Sequence, residues 1–142
     1  MTIIPSENPL ILIVILYFIG SVPFSVIFAR LFKLSDPRTF GSKNPGATNM
    51  LRTGNKLAAS LTLIGDIAKG FLPVYLLTNT ELMIEEIYLL AFFIYFGHIF
   101  SVFIKFKGGK AVATSIGVLI GIDYVIAIFV ISTWIIIYLI SK

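Results

Sequence analysis

The sequence is poor in the residue types that build many catalytic and structural sites. It has no cysteine, which excludes disulfide scaffolds, thiolate zinc sites and thiol nucleophiles. Its one histidine has no cluster of carboxylates beside it, so we expect no metal ion. Charged residues make up 13% of the 142 residues and hydrophobic residues 58%, a balance that excludes an ordinary soluble domain. The composition predicts an integral membrane protein.

Long apolar segments predict an all-α, polytopic helical bundle that forms a single membrane domain over residues 1–142. The first segment is long enough to cross a hydrocarbon core of about 30 Å, although Gly20 and Pro23 interrupt it. The apolar run at the end of the chain is too long for one span, and Gly121 and Asp123 supply a helix stop and an N-cap that divide it. About five membrane segments are predicted, at residues 10–32, 57–78, 87–104, 111–122 and 124–140.

The cations are concentrated in two of the connections between these segments. The first connection is opposed only by Asp36, the third has no acidic residue, and the second has three glutamates and no cation. By the positive-inside rule, connections one and three face the cytoplasm and the N-terminus lies outside. The first segment has no basic flank before it and no A-x-A site after it, so we expect an uncleaved span. The cations of the two connections are Arg30, Lys33, Arg38, Lys43, Arg52, Lys56, Lys105, Lys107 and Lys110.

The first basic connection contains the polar stretch GSKNPGATN, residues 41–49, which we call the first glycine loop. Gly41 and Gly46 can adopt positive φ, and successive inward-turned N–H groups form an anion-binding nest. Arg38 and Arg52 flank the loop and can grip a phosphate with paired donors. The alternative is a turn followed by a helix that Asn49 caps. Short side-chain donors in the loop are Ser42, Asn44, Thr48 and Asn49.

The second basic connection, KFKGGK at residues 105–110, is the second glycine loop. Gly108, Gly109 and Lys110 lead into an apolar helix, and a helix N-terminus behind two glycines is a ready anion site. The alternative is a basic turn anchored at lipid headgroups, which we prefer for Lys105 and Lys107. Neither loop matches the nucleotide P-loop, which requires Ser or Thr after its Gly-Lys pair.

Three further polar residues lie within apolar segments. Asp66 and Lys69 are three residues apart, share a helix face and can pair. Charges in the membrane are costly and point into a bundle or a site, so a structural role and substrate contact have equal weight for this pair. His98 is interpreted as a structural histidine. Two anion sites beside an apolar bundle predict either a substrate with two phosphates or two phosphorylated substrates, one of which carries an acyl chain.

Three stretches together resemble a known enzyme family. GSVPFSVIFARLFKLSDPRTFGSKNPGATNMLRTGNK, then GDIAKGFLPV, then GHIFSVFIKFKGGKAVATSIG are similar, in the same order, to the bacterial acyl-phosphate:glycerol-3-phosphate acyltransferases (the PlsY family). The resemblance runs from about Gly20 to Gly121. The family pattern is G-S-G-N-x-G-A-T-N and G-G-K-G-V-A-T, so Lys43 and Ala111 each replace a glycine. We expect neither replacement to abolish binding.

The resemblance implies a multi-pass protein of the bacterial inner membrane that needs no cofactor. Its activity would be transfer of an acyl group from acyl phosphate, and not from acyl-CoA or acyl carrier protein, to the 1-hydroxyl of glycerol 3-phosphate, giving lysophosphatidic acid. The implied partners are these two substrates, membrane lipid and the enzyme that produces acyl phosphate, with no nucleic acid. Ser42, Arg52 and Lys110 would be catalytic and bind the phosphorylated glycerol. The implied substrate-binding residues are Gly41, Asn44, Gly46, Thr48, Asn49, Gly108 and Gly109, with Asp66, Lys69 and His98 in support.

Two other functions remain open at this point. The resemblance covers roughly the first two-thirds of the family architecture, without its later serine and its histidine–asparagine motif. The chain is therefore also compatible with an inactive, truncated or frame-shifted product that only binds lipid phosphate. A phosphate or organic-anion transporter is a further alternative. Against the transporter, both anion sites are predicted on one side of the membrane, and the sequence shows no inverted repeat.

Overall fold

A computed structural model describes residues 9–141, and this part of the chain contains helices and no strand. This confirms the predicted all-α fold. The helices follow the apolar segments, and a short polar helix lies inside the first connection. They are α1 Pro9–Ser21, α2 Phe24–Leu31, α3 Ala47–Leu51, α4 Lys56–Thr78, α5 Ile84–Ile99, α6 Val112–Ile122 and α7 Tyr124–Ile140, with a 3-10 turn at Val102–Ile104 after α5.

The first apolar segment is a broken helix. The axes of α1 and α2 differ by 42° across a break at Val22 and Pro23. Proline removes an N–H donor and clashes with the preceding turn, so a helix bends or stops at this residue. By length and composition, α4 and the stretch Ile84–Ile104 can each cross a membrane, and the broken pair α1 and α2 is a third candidate span. Helices α6 and α7 are shorter and apolar.

Side-chain caps set two of the helix boundaries. Asn55 Oδ1 accepts a hydrogen bond of 2.9 Å from Ala58 N at the start of α4. Asp123 Oδ1 accepts bonds from Val125 N and Ile126 N at the start of α7. Such caps satisfy amides that have no partner inside the helix. The predicted division of the last apolar run at Asp123 is therefore confirmed.

Glycines allow two pairs of helices to cross closely. A Cβ added to Gly20 of α1 would collide with the carbonyl of Ile94, and one added to Gly97 of α5 would collide with the carbonyl of Tyr17. Helices α4 and α6 repeat this arrangement through Gly70 and Gly117. Small residues at membrane helix crossings let the backbones approach and increase dispersion contacts. The α1–α5 and α4–α6 pairs are the most extensive helix contacts in the described part of the chain.

The interior of the bundle joins these two pairs. Its core combines side chains from α1, α4, α5 and α6, and the two largest fully buried aliphatic residues in it are Leu77 and Ile94. Large apolar side chains on the outer surfaces of all the long helices are exposed. In a bilayer these faces contact hydrocarbon, where exposed apolar surface costs nothing. The buried core residues are Leu12, Leu16, Val74, Leu77, Ile87, Leu90, Ala91, Ile94 and Val118.

Candidate active site

Both glycine loops approach one small polar cavity. Its volume is about 10 Å³, and it lies where the break between α1 and α2, helices α4 and α5 and the two loops meet. Pro45 is the contribution of the first loop, and Gly108 and Gly109 are the contributions of the second. The two loops therefore lie on the same end of the bundle. The lining residues are Ser21, Val22, Pro23, Pro45, Asp66, Lys69, His98, Ser101, Ile104, Gly108 and Gly109.

The first glycine loop is folded around the side chain of Asn49. Its Nδ2 donates to the carbonyls of Pro37 at 2.6 Å and Phe40 at 3.2 Å, while its Oδ1 accepts from Ser42 N at 3.2 Å. Asn49 is 1% exposed. All of its polar atoms therefore bond to the backbone of this connection, and the residue forms the frame of the loop.

The structure contradicts the alternative in which Asn49 caps a helix, and it contradicts the expected positive φ at one of the two glycines. The helix after the turn begins at Ala47 with Gly46 at the N-cap, so Asn49 lies inside α3 and does not cap it. Gly41 has the expected positive φ of 56°, whereas Gly46 is extended at −141°. The second positive φ belongs to Lys43. Asn49 does not cap the helix because its side chain hydrogen-bonds to the backbone of residues 37–42 instead, and these bonds outweigh the tendency of asparagine to cap a helix.

The amides of the first loop are only partly available to a ligand. Ser42 N bonds to Asn49, Lys43 N bonds to the carbonyl of Phe40, and Gly46 N bonds to the carbonyl of Asn44. These three N–H groups stabilise the turn, so they are not free donors for an anion. The side chains of Ser42 and Thr48 are exposed and that of Asn44 is half-buried.

The two arginines beside the first loop have different surroundings. Arg38 binds Asp36 through paired contacts, with Nη2 2.6 Å from Oδ2 and Nε 2.9 Å from Oδ1. The hydrogen bonds and charge of Arg38 lower the pKa of Asp36 below its usual value, despite partial burial. Arg52 is exposed, and a Cβ added to Gly41 would lie 3.0 Å from its Nη1. Of the two, only Arg52 has a guanidinium without a carboxylate partner in the described chain.

The second glycine loop is attached to the end of α5. Gly108 N donates to the carbonyl of Ile99 at 2.9 Å, and Gly109 N donates to the carbonyl of His98 at 3.1 Å. A Cβ added to Gly108 would collide with both of these carbonyls. The glycines are therefore required for close packing, and their amides are occupied. Lys110, the next residue, is exposed.

Behind the loops lies a buried polar group that consists of Asp66, Lys69 and His98. Lys69 Nζ is 2.8 Å from Asp66 Oδ1 and also donates a hydrogen bond of 2.7 Å to the carbonyl of Val22. The break between α1 and α2 leaves this carbonyl without a helical partner. Each charged side chain is 4% exposed. His98 Nδ1 lies 3.7 Å from Asp66 Oδ1. The predicted Asp66–Lys69 pair is thus present, and it joins α4 to the broken first segment.

Residues without a predicted role complete the arrangement. Thr114 Oγ1 lies 3.2 Å from His98 Nδ1, and Ser101 Oγ donates to the carbonyl of Ser21 at 2.5 Å. A hydroxyl inside an apolar segment is the only sequence signal for either residue. In residues 9–141 no three His, Asp or Glu side chains lie close enough together to hold a metal ion.

The predicted catalytic residues Ser42, Arg52 and Lys110 are all exposed at the end of the bundle to which both loops belong. An open apolar groove of about 430 Å³ adjoins the cavity and shares Val22, Pro23 and Ile104 with it. The arrangement combines cations, polar side chains and apolar surface, so it can bind a molecule with a phosphate head and a hydrocarbon chain.

The matching family model and the similar proteins all indicate the same family. The model of the family described as glycerol-3-phosphate acyltransferase matches residues 10–142. The chain is 49% identical over 133 residues to the glycerol-3-phosphate acyltransferase of Bordetella pertussis (strain Tohama I), an alignment that covers 92% of this chain and 62% of that protein. It is 50% identical over 124 residues to the protein of the same name from Dechloromonas aromatica (strain RCB), with 87% of this chain and 63% of the relative covered.

A solved structure has the same architecture. The crystal structure of PlsY (YgiH), an integral membrane glycerol 3-phosphate acyltransferase in its glycerol 3-phosphate form, superimposes with a TM-score of 0.84 at 34% identity, covering 92% of this chain and 66% of that chain. The chain thus spans less than two-thirds of the length of both curated relatives and of this structure. The likeness and the apolar helix surfaces identify a multi-pass integral membrane protein. With its family model matched from residue 10 to residue 142, the chain belongs to the glycerol-3-phosphate acyltransferase family.

Proposed function

We propose that the protein transfers an acyl group from acyl phosphate to the 1-hydroxyl of glycerol 3-phosphate and releases lysophosphatidic acid and inorganic phosphate. The observation that carries this proposal is the meeting of the two glycine loops at one end of an apolar bundle, where Arg52 and Lys110 are both exposed. Exposed cations and paired donors at this position suit the phosphate group of glycerol 3-phosphate. The names of the matched relatives and of the solved structure support acyl transfer with glycerol 3-phosphate as the acceptor.

The proposed chemistry needs no covalent enzyme intermediate. The 1-hydroxyl oxygen attacks the acyl carbon, the bond from that carbon to the phosphate oxygen breaks, and the hydroxyl proton passes to a phosphate oxygen. Acyl phosphate is a mixed anhydride with a good leaving group, so orientation and charge neutralisation can supply much of the rate. We assign the glycerol phosphate to Ser42, Arg52 and Lys110. The acyl-phosphate head is assigned to the first glycine loop.

The acyl chain is assigned to the apolar groove next to the cavity. Val26, Ile27 and Phe103 supply apolar surface, and Arg30 supplies a cation among the lining residues. A phosphate head at the loops would leave its hydrocarbon chain beside this groove, because groove and cavity share lining residues. Burial of each methylene contributes about 0.8 kcal/mol, so a long chain can supply much of the donor's affinity.

Two of the glycines predicted to bind substrate are assigned a different role. The amides of Gly108 and Gly109 bond to α5, so we assign these residues to the close packing that presents Lys110 rather than to direct contact with phosphate. In the same way, Asn49 is assigned to the frame of the first loop. We further propose that both loops face the cytoplasm of the bacterial inner membrane and receive acyl phosphate from the enzyme that produces it.

The binding assignment is tested by acyl-transfer kinetics of the full chain. Arg52→Ala and Lys110→Ala are each expected to reduce kcat/KM for glycerol 3-phosphate by at least about tenfold, since a hydrogen bond to a charged group contributes about 1.5–3 kcal/mol. Lys107→Ala is the matched control, because Lys107 is an exposed lysine of the same loop. Normal kinetics in both test variants would refute the assignment.

The donor is tested by comparing palmitoyl phosphate, palmitoyl-CoA and palmitoyl acyl carrier protein at equal concentrations with radiolabelled glycerol 3-phosphate. Product is expected only with the acyl phosphate, because we assign the first glycine loop to a phosphate head and the sequence has no evident feature for a carrier protein or a nucleotide. The rate is expected to be unchanged by a metal chelator. Product formed from the thioesters at a comparable rate would overturn the donor assignment.

A further inference from the structure

We propose that His98, held by Thr114, is a positioning residue that fixes the second glycine loop so that Lys110 meets glycerol 3-phosphate. The inference rests on the proposed function for its substrate. His98 is buried at 8% exposure and does not reach the surface on which Lys110 is exposed. Its effect on the substrate is therefore indirect, through the loop between them.

His98 contacts the loop with both its backbone and its ring. The carbonyls of His98 and Ile99 accept hydrogen bonds from the amides of Gly109 and Gly108. The ring lies directly against Gly109, because a Cβ added there would collide with His98 Nε2. The hydrogen bond from the Gly109 amide to the His98 carbonyl is one contact, and the edge of the His98 ring against Gly109 is a second. Together they restrict the residue that immediately precedes Lys110.

The orientation of the ring is set by a different helix. His98 Nδ1 lies 3.2 Å from Thr114 Oγ1, and Thr114 is 0% exposed in the first turns of α6. The same nitrogen is 3.7 Å from Asp66 Oδ1, and that carboxylate is held by Lys69. With polar partners on one edge and Gly109 on the other, the ring has little freedom to rotate. Thr114 thus links the ring to the helix into which the loop leads.

The residue after Lys110 is restrained as well. Ala111 has a left-handed φ of 59°, and its carbonyl accepts bonds from both the amide and the hydroxyl of Ser115. Both neighbours of Lys110 in the chain, Gly109 and Ala111, are therefore restrained. The His98 ring restrains Gly109 by direct contact. Loss of the ring's orientation should loosen Lys110 without removing it. The expected kinetic result is an increase in KM for glycerol 3-phosphate that exceeds the change in kcat.

The first test compares threonine variants of the full chain. Thr114→Val keeps the shape and removes the hydroxyl, and it is expected to raise KM for glycerol 3-phosphate about five- to tenfold with kcat within about twofold. Thr114→Ser restores the hydroxyl and should return KM to within about twofold of the parent. Thr62→Val is the matched control, since Thr62 is also 0% exposed and its hydroxyl bonds only to the carbonyl of Ala58 in its own helix.

The second test does not depend on acyl transfer. Because the chain has no cysteine, a nitroxide label on Lys107→Cys reports the mobility of the second glycine loop alone. Thr114→Val should increase the mobility of the label, and Thr62→Val should not. If the mobility changes as expected while glycerol 3-phosphate is not a substrate of the parent protein, the proposed function fails and the positioning role of His98 for this loop stands.

His98→Asn approaches the same contact from its other edge. Asparagine keeps a polar atom near the position of Nδ1 but lacks the ring edge that lies against Gly109. This variant serves if Thr114→Val does not fold, and the same KM-selective loss and increase in mobility are expected. A folded variant of either kind with parental KM and parental label mobility would overturn the proposal. A loss confined to kcat or to thermal stability would overturn it too, because a purely structural role predicts that result.

Discussion

At the scale of single residues, the two departures from the family pattern occupy the positions where the backbone favours glycine. Lys43 has a φ of 56° and Ala111 a φ of 59°, both in the left-handed region. Side chains with a Cβ pay about 1–2 kcal/mol there, which glycine avoids. The loops keep these conformations because Asn49 frames the first loop and the carbonyls of α5 hold the second. Replacement of these two glycines thus makes folding of the loops less favourable in free energy. The backbone conformation of the loops is nevertheless retained.

We therefore predict that Lys43→Gly and Ala111→Gly each stabilise the protein. The relief of the left-handed strain exceeds the extra chain entropy that glycine loses, which leaves a net gain of about 0.5–1 kcal/mol for each. The measurement is the midpoint of thermal unfolding in detergent micelles. Lys107→Gly is the control, because Lys107 has a negative φ and should lose stability. A lower midpoint for both test variants would contradict this explanation.

At the scale of helices, the bundle depends on glycines that face carbonyl groups. In the α4–α6 crossing, Gly117 meets the carbonyl of Ile67 and Gly70 meets that of Thr114. Thr114 thus contributes its backbone to the helix crossing and its hydroxyl to His98. Since backbone cannot move aside as a flexible side chain does, a methyl group at either glycine must separate the two helices.

We predict that Gly117→Ala destabilises the protein by about 1–3 kcal/mol, the usual cost of overpacking a tight interior. Gly121→Ala, one turn further along α6, is the matched control. A Cβ there would meet the side chain of Val74 and the carbonyl of Phe71 at 3.1 Å, so small adjustments suffice and the cost should be lower. Unfolding midpoints of the two variants in the same detergent give the comparison. Equal losses would show that the crossing is not limited by Gly117.

At the scale of the whole molecule, two connections that are far apart in sequence form one polar end of the bundle. Pro45 and Gly108 line the same cavity, although whole membrane segments separate them. From the positive-inside rule we propose that these lysine- and arginine-rich connections face the cytoplasm, and that the glutamates near the start of α5 lie on the opposite side. The shared cavity requires both loops to lie at one end of the bundle, which agrees with the proposed topology.

Topology can be tested with single cysteines, which the parent chain lacks. Ser42→Cys and Lys107→Cys should be protected from a membrane-impermeant maleimide in intact cells and become reactive after permeabilisation. Glu81→Cys should react in intact cells. All three side chains are exposed in the structure, so burial does not limit the reaction. Labelling of Ser42→Cys and Glu81→Cys from the same face would refute both the topology and the cytoplasmic site.

Much of the fold and part of the site could be predicted from the sequence because they depend on local properties. Apolar length and the charges of the connections indicated a multi-pass helical bundle. The N-cap at Asp123 marked a helix start, since a cap is a contact between neighbouring residues. The pair Asp66 and Lys69 followed from helical spacing. The motif stretches identified both glycine loops, and with them the family.

The tertiary structure alone decided which of these groups are free and which are bonded. Lys69 donates to Val22, 47 residues away, and Ser101 donates to Ser21, 80 residues away. The loop amides of Gly108 and Gly109 are occupied by the end of α5, and Thr114 from α6 holds the ring of His98. Such partners meet only when separate helices pack, so no local pattern encodes them. The sequence by itself determined the helical membrane fold and the residue types of the loops, and the packing of separate helices determined which loop groups are bonded and which are exposed.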